Sequence, residues 1–461
     1  MNQGTRPIID RLRKGLGAQV FGQAVTIFIR LAEVPLFLAY WGPDRYGEWL
    51  MVAAIPAYLA MADGGFTSTT QREMTMRMGA GDRQGALSVF QSTWMLLLIV
   101  STVVMAAAAV AAVLLPLDHW FNLKSMPRNT LTIVILLLAS HVVVSFQGSL
   151  IYGGYCCEGR YARGTFLIAV MYMLDFGGLS LAVIFGGGPV EAALGFLVGR
   201  LVGLLLFLYD RPKVAPWLSY GRRYASRDQV VRLFRPSLAS MAFPLGEVMN
   251  IQGLRIAVGM VLGPVAVTVF SSIRVLSRIA LNPILRLTKL TEPEMALAFG
   301  NGNHDLMRKL FARSSQLTLW TVLPVCAMLW YVGEPLLHLW THGKITLDAP
   351  LLALLLLASV ANSIWLTALM VSFSTNRHEG AALFYAAVQC SAVLVVVLFA
   401  NQFGLTGVGC ALVITEIMLT IWVLPQALRL TAMSFASWIR TVASPPIFLF
   451  GFVRKHSRSP L

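Results

Sequence analysis

Nine ionisable residues lie inside long apolar stretches of this 461-residue chain. A charge in such surroundings costs about 2.5–3.5 kcal/mol, so each needs an ionic partner or a water-filled cavity. We therefore take these residues as the candidates for binding chemistry. The basic ones are Arg30, Arg200, Arg255, Arg274 and Arg278, and the acidic ones are Glu33, Asp175, Glu247 and Glu416.

Arg274 and Arg278 form the most informative pair, because they are four residues apart and share one face of a helix. Like charges at this spacing repel each other unless an anionic group lies opposite. Guanidinium groups suit this task, since their planar donors bind oxygen atoms in pairs and keep their protons when partly desolvated. The pair predicts an anion site.

Internal ion pairing is the alternative interpretation of these arginines. Arg30 and Glu33 are three residues apart and can bridge along one helix, and Arg255 could reach a carboxylate on a neighbouring helix. For Arg255, Arg274 and Arg278 we favour ligand binding over internal pairing. The reason is that the nearby acids, Glu247 and Glu416, cannot neutralise all three charges.

The acidic residues have two interpretations as well. Asp175 and Glu247 could take up an ion during a transport cycle, with H⁺ or Na⁺ as the candidates, but we favour a static partnership with an arginine. Asp63 is predicted at the end of a helix, where the helix dipole disfavours an acid, so we expect it to pair with a loop residue such as Arg72. That bridge is either a gate or static. The role of Arg200 stays open.

We expect no catalytic residue, metal or other cofactor. The cysteines lack metal-ligand spacing, none falls in a predicted outward loop, and we interpret them as small apolar side chains. His141 is predicted to be a polar residue satisfied within the protein. The cysteines are Cys156, Cys157, Cys326, Cys390 and Cys410.

The composition places these residues in a membrane. Hydrophobic residues make up 57% of the chain and charged residues only 12%, whereas a soluble domain has about 25% charged residues. Mean hydropathy is +0.70. Apolar runs of spanning length predict about twelve transmembrane helices, starting near residues 16, 46, 88, 130, 164, 190, 236, 264, 312, 350, 379 and 406.

The net charge of +15 is an orientation signal. Basic residues precede the first span, fill the connection from Asp210 to Arg235 and follow the eighth span, where they include Arg286, Lys289 and Arg308. Arg377 lies on the same side. Both termini are therefore predicted to be cytoplasmic, since the alternate loops hold only Arg45, Lys124, Arg128 and Lys344.

The stretch from Gly42 to Phe90 is repeated from Gly263 to Phe311 at a constant offset of 221 residues. We predict an N-terminal six-helix lobe over residues 1–210, a basic cytoplasmic linker over 211–235, a C-terminal six-helix lobe over 236–430 and a cytoplasmic or interfacial tail over 431–461. An apolar run at 447–453 would lie in the interface. Six spans in each half make the repeat parallel, with a central cavity between the bundles.

The run Gly42-x-x-x-Tyr46-Gly47-x-Trp49, followed by Asp63-Gly64-Gly65, resembles the polysaccharide-transporter (Wzx-type flippase) branch of the multidrug/oligosaccharidyl-lipid/polysaccharide exporter superfamily. The resemblance implies an all-α membrane transporter of the bacterial inner membrane. It implies a lipid-linked oligosaccharide on undecaprenyl pyrophosphate as the substrate, for surface polysaccharide such as lipopolysaccharide or exopolysaccharide. A polysaccharide polymerase and glycosyltransferases are the implied partners.

The resemblance also gives the arginines a role. Such transporters line their cavity with spans one, two, seven and eight, and four of the five arginines fall on predicted spans one, seven and eight. Arg30 aligns with Ile251, one turn from Arg255, so these two could hold one pyrophosphate from both sides.

Two rival functions remain open. An ion-coupled multidrug or metabolite exporter of the same superfamily would need cavity carboxylates for cationic substrates, whereas arginines outnumber acids in the spans. A membrane glycosyltransferase or polysaccharide polymerase would need a sizeable outward loop with catalytic residues, whereas the predicted outward loops are short.

Overall fold

The computed structural model describes residues 6–281, 291–292, 294–375 and 378–446, without the side chains of residues 6–14 and 239. All regular secondary structure in these ranges is helical. Several predicted features lie outside the described residues: Arg286, Lys289, Arg377 and the apolar run at 447–453.

The chain divides into two compact units. Unit 1 contains Met1–Val248 and Gly263–Thr268, and unit 2 contains Met249–Leu262 and Val269–Leu461. The predicted lobe and linker boundaries stay a prediction.

Unit 1 contains ten helices. They are α1 (Arg6–Val52), α2 (Ile55–Ala60), α3 (Phe66–Gly79), α4 (Arg83–Leu114), α5 (Leu117–Trp120), α6 (Arg128–Cys157), α7 (Tyr161–Ile184), α8 (Pro189–Val214), α9 (Arg227–Ala239) and α10 (Ala242–Val248). A short 3₁₀ turn, Met61–Asp63, follows α2.

Unit 2 begins with a π-helical turn, Met249–Gly253, that continues α10. Its longer helices are α11 (Leu254–Leu262), α12 (Pro264–Arg278, whose first turn belongs to unit 1), α13 (His304–Trp340), α14 (Ala349–Ser374), α15 (Glu379–Leu430) and α16 (Phe435–Ala443). Residues 294–300 form a further helical segment.

Ten helices in the described part of the chain are long and apolar enough to cross a membrane. Two of them contain a glycine that breaks the helix: Gly42 with φ 73° in α1, and Gly404 with φ 60° in α15. Glycine tolerates these left-handed angles because it has no Cβ. The two breaks divide ten helices into twelve segments, which confirms the predicted twelve-helix, all-α fold.

The repeated sequence folds into repeated local structure. Helices α4 and α13 both begin after a left-handed glycine, Gly81 or Gly302, with φ 78° and 68°. Asp82 and Asn303 then cap the two helices, each accepting a hydrogen bond from the backbone N–H three residues ahead. These four residues are pairs at the 221-residue offset.

The motif around Gly42 is the aromatic core of one end of unit 1. Phe37 stacks on Tyr46 with ring centroids 5.1 Å apart and also contacts Trp41 and Trp49. Because Gly42 turns the chain, residues before and after it can share one cluster. Trp41 also donates a hydrogen bond to the carbonyl oxygen of Gly187.

Glu48, inside the same motif, is buried and holds the loop before α6. Its carboxylate accepts hydrogen bonds from the backbone N–H groups of Lys124 (2.6 Å) and Ser125 (2.8 Å), and from the Ser125 hydroxyl. The motif therefore has a structural role that its sequence does not reveal.

The basic connection after α8 is tied to α4. The Gln91 side chain donates to the Ser219 carbonyl oxygen and accepts from the Tyr224 backbone N–H, and Ser92 accepts from Ser226 N–H. The connection therefore continues unit 1 as an ordered segment up to α9.

Helices α7 and α8 approach closely through small residues, as membrane helices do when packing replaces the hydrophobic effect. A Cβ on Gly178 would come within 2.1 Å of the carbonyl oxygen of Gly195, whereas a Cβ on the adjacent Gly177 would meet nothing within 4 Å. The two neighbouring glycines thus differ only in what they face.

This difference gives a matched test of the fold. Gly178→Ala should lower the free energy of unfolding by about 1–3 kcal/mol, because the helices must separate. Gly177→Ala should be neutral or raise it by about 0.5–1 kcal/mol, because alanine favours helix. Thermal unfolding of the detergent-purified protein, followed by tryptophan fluorescence, measures both. Equal melting temperatures for the two variants would contradict the close approach.

Candidate functional site

A polar cleft lies inside unit 2, between the π turn and helices α12, α14 and α15. Its volume is about 50 Å³, and polar or charged side chains alternate around it with apolar ones. The polar lining residues are Asn250, Arg274, Ser277, Arg278, Ser359, Asn362 and Glu416. Two of the predicted arginines and one predicted acid therefore meet in one place.

Arg274 is held by a chain of amides. Its Nη2 donates to Oδ1 of Asn250 at 2.6 Å, and Nδ2 of Asn250 donates to Oε1 of Gln389 at 2.8 Å. The guanidinium carbon also lies 5.3 Å from the ring centroid of Phe270. These contacts orient the guanidinium group within the membrane span.

Glu416 is buried on α15, where it accepts two hydrogen bonds from α14. Both reach Oε2, from Nε1 of Trp365 at 2.6 Å and from Nδ2 of Asn362 at 3.0 Å. The positive charges of Arg274 and Arg278 also act on this carboxylate.

Two arginines and one acid are the ionisable groups among the described residues that line the cleft. They are Arg274, Arg278 and Glu416, and both arginines are half-buried rather than enclosed. A cavity of about 50 Å³ has room for one or two water molecules, since each occupies about 30 Å³. A larger anion would therefore contact the guanidinium groups from their exposed side.

The π turn is what brings Asn250 into the cleft. A π turn inserts an extra residue into a helix and often marks a functional position. Here it covers Met249–Gly253, at the join of α10 and α11. Asn250 is buried there and its side chain bonds to two different helices, α12 and α15.

The uncharged members of this site were not among the predicted residues. They are Asn250, Asn362, Gln389 and Trp365, whereas the predicted residues are all ionisable. The signal was present, because amide side chains in membrane helices also need partners and commonly bond between helices. Including Asn and Gln in the search would have found three of the four.

Arg200 and Asp175 belong to a separate cluster in unit 1. Nη2 of Arg200 donates to Oδ2 of Asp175, and Nε of Arg200 lies 3.1 Å from Nε2 of His141. The His141 ring stacks on Phe196 with centroids 3.9 Å apart. All three polar residues are buried, each at most 6% exposed, so they form a closed triad joining α6, α7 and α8.

The remaining predicted residues lie elsewhere. Arg255 is half-buried on α11 and donates to Oε1 of Gln252 at 3.3 Å. Arg30 on α1 and Glu247 on α10 are exposed, and Glu33 is half-buried.

The predicted pairing of Asp63 with Arg72 is not seen among the described residues. Its Oδ1 accepts the backbone N–H of Gly65 at 2.8 Å, which stabilises the left-handed pair Gly64 and Gly65 before α3. The salt bridges of the described residues do not include Asp63 with Arg72. Asp63 therefore shapes the turn.

No protein-family model and no curated protein matches this chain. Several solved structures match it. An inward-facing multidrug resistance MATE family transporter of the MOP superfamily matches with a TM-score of 0.71 and 19% identity, over 88% of this chain and 95% of that one. An outward-facing MATE transporter matches with a TM-score of 0.64 and 18% identity, over 92% and 96%.

The lipid II flippase MurJ, in an inward closed conformation, matches with a TM-score of 0.68 and 14% identity, over 96% of this chain and 94% of that one. Likenesses at these identities show the fold. The chain is a multi-pass membrane protein with the twelve-helix transporter fold of the MATE proteins and MurJ.

The triad of unit 1 generates a stability prediction. Asp175→Asn leaves the buried charge of Arg200 uncompensated, and Arg200→Gln does the same to Asp175. Each should lower the free energy of unfolding by about 3–5 kcal/mol. The double variant should lose less than the sum, because neither charge is then stranded. Denaturation of the four proteins in detergent measures this coupling. Loss of transport by Arg200→Gln at unchanged stability would instead assign Arg200 to the substrate.

Proposed function

We propose that this protein is a transporter of the MOP superfamily that moves a lipid-linked oligosaccharide across the bacterial inner membrane. It works by alternating access, with both termini in the cytoplasm, and supplies cell-surface polysaccharide biosynthesis. The carrier is undecaprenyl pyrophosphate. The glycan passes through the protein while the polyprenyl tail stays in lipid.

The observation that carries the proposal is the cationic cleft of unit 2. Two arginines one helical turn apart, with a single acid beside them, suit a ligand with more than one negative charge. A pyrophosphate offers several oxygen atoms to paired guanidinium donors, and guanidinium stays charged when water is partly removed. Arg274 is already oriented by Asn250, so little side-chain freedom would be lost on binding.

The fold supports the same proposal of a flippase. MurJ, a lipid II flippase, is among the structures that this chain resembles over nearly its whole length. A flippase of this type would receive its substrate from glycosyltransferases and deliver it to a polysaccharide polymerase. We assign Arg255, which lies in the same unit, to the headgroup as an additional contact, and leave Arg200 to its triad.

An ion-coupled multidrug or metabolite exporter is the second candidate, because multidrug MATE transporters match the fold equally well. Buried Glu416 would then serve a cationic substrate or H⁺ or Na⁺. The third interpretation, a glycosyltransferase or polymerase, gains no support, since the matched structures are transporters and a flippase.

Replacing the cleft arginines should stop transport without unfolding the protein. Removing one charged donor costs about 1.5–3 kcal/mol of binding, so Arg274→Ala or Arg278→Ala should reduce transport about tenfold to a hundredfold. Arg255→Ala should also reduce it. The measurement is complementation of a deletion strain, reading surface polysaccharide together with polyprenyl-linked glycan extracted from the membrane.

Arg232→Ala is the matched control, because Arg232 is exposed on α9 in the basic connection. It should complement fully. The deletion strain itself should accumulate complete lipid-linked units and lose surface polymer. Full activity of the double variant Arg274→Ala/Arg278→Ala would show that the cleft does not bind the headgroup.

Glu416 separates the two candidates. Glu416→Gln keeps the hydrogen-bond geometry with Trp365 and Asn362 approximately but removes the ionisable carboxyl group. In a flippase both cleft arginines remain, so glycan export should persist. In an exporter of cations, resistance to cationic drugs should fall about as far as in the deletion strain. Drug sensitivity with unchanged surface glycan in the deletion strain would favour the exporter.

A further inference from the structure

An apolar cleft lies beside α16, away from the polar cleft and within the same unit. Its volume is about 370 Å³, which is within the range of small-molecule sites, about 300–1,000 Å³. Every residue lining it is apolar, and they come from α13, α14 and α16. They are Leu319, Trp320, Leu323, Ile364, Trp438, Ile439, Val442 and Ala443.

Hydrogen bonds to α13 hold α16 in place over this cleft. Nε1 of Trp320 donates to the carbonyl oxygen of Val442 at 2.9 Å. Nε2 of Gln316 donates to the carbonyl oxygen of Ser444 at 2.6 Å, just beyond the end of the helix. The cleft therefore stays open between helices that are fastened together, and small Ala443 leaves space that a larger side chain would fill.

Positive charge borders the cleft. Arg440 is exposed on α16, between two of the lining residues. Arg313 on α13 donates to Oε1 of the same Gln316 that bonds to Ser444, which places a second guanidinium group near the end of α16. Arg308 lies further away, where its Nε donates to the Thr431 carbonyl oxygen just before α16 and its Nη1 forms a 3.6 Å salt bridge with Oδ1 of Asp305.

Trp438 adds a polar atom to the apolar wall. The residue is 6% exposed, and its indole N–H is buried without an acceptor among the described residues. A buried donor without an acceptor destabilises the protein, because the hydrogen bond that it made with water is not replaced. An acceptor supplied by a bound molecule would remove that cost.

We propose that this cleft is a binding site for an anionic phospholipid, with one acyl chain between α13, α14 and α16. The headgroup lies against Arg440 and Arg313, and an ester carbonyl of the lipid accepts the Trp438 N–H. The surrounding membrane supplies such molecules at high local concentration. A basic amphipathic helix at a membrane surface favours anionic lipids for the same electrostatic reason.

Photolabelling of the full-length protein tests the site. The protein is reconstituted in phosphatidylcholine vesicles containing phosphatidylglycerol with a diazirine on one acyl chain, and the labelled peptides are mapped by mass spectrometry. Adducts should concentrate on α16 and on residues 319–323 of α13. Excess unlabelled phosphatidylglycerol should compete them away, as expected for a saturable site.

Two alanines of α16 provide matched variants. Ala443→Trp fills the cleft and should reduce the adducts severalfold, whereas Ala436→Trp adds the same side chain at an exposed position outside the lining and should leave them unchanged. Arg440→Gln should weaken labelling by the phosphatidylglycerol probe more than labelling by a phosphatidylcholine probe with the same chains.

Three results would overturn the proposal. Equal labelling by the two probes would contradict a preference for an anionic headgroup. Unchanged labelling of the Ala443→Trp variant would contradict binding in the cleft. Labelling that excess phosphatidylglycerol cannot compete away would show only contact with bulk lipid. The competition experiment needs no variant, so it decides the question even if Ala443→Trp fails to reach the membrane.

Discussion

Polar side chains inside a membrane must find partners within the protein, because hydrocarbon offers none. The two units meet this constraint in different ways. In unit 1, Arg200, Asp175 and His141 close on one another, and the charges are used up in joining helices. In unit 2, a neutral amide, Asn250, orients Arg274 beside Arg278 and Glu416 on the wall of a cleft. The same constraint thus produces a structural joint in one unit and a candidate binding site in the other.

Backbone irregularities also lie at defined places in the fold. Gly42 breaks α1 where an aromatic cluster and the carboxylate of Glu48 organise the adjoining loop. Gly404 breaks α15 in the same way at left-handed angles. The π turn at Met249–Gly253 is the third irregularity, and it delivers Asn250 to the cationic cleft. Irregular backbone therefore serves both the scaffold and the site.

The internal repeat conserves scaffolding and not chemistry. Phe90 and Phe311, one repeat apart, are both completely buried, as are Met74 and Met295. The cleft arginines have no such counterparts: at the same offset the first half has Ala53 and Ala57. The two halves thus share residues that cap and pack their helices, while the cleft arginines lie in the second half only.

The amino-acid sequence by itself determined the membrane location, the number of helical segments, their approximate starts and the duplication, because apolar length and local turn chemistry are properties of neighbouring residues. It also singled out Arg274, Arg278 and Glu416 as candidates, and the structure places all three around one cleft. Tertiary structure alone decided which charges are partnered, since Arg200 and Asp175 are 25 residues apart and meet only when α7 packs on α8. It likewise decided the parts played by Asn250 and Glu48. Their roles arise from contacts between distant segments, which composition and spacing along one helix cannot specify.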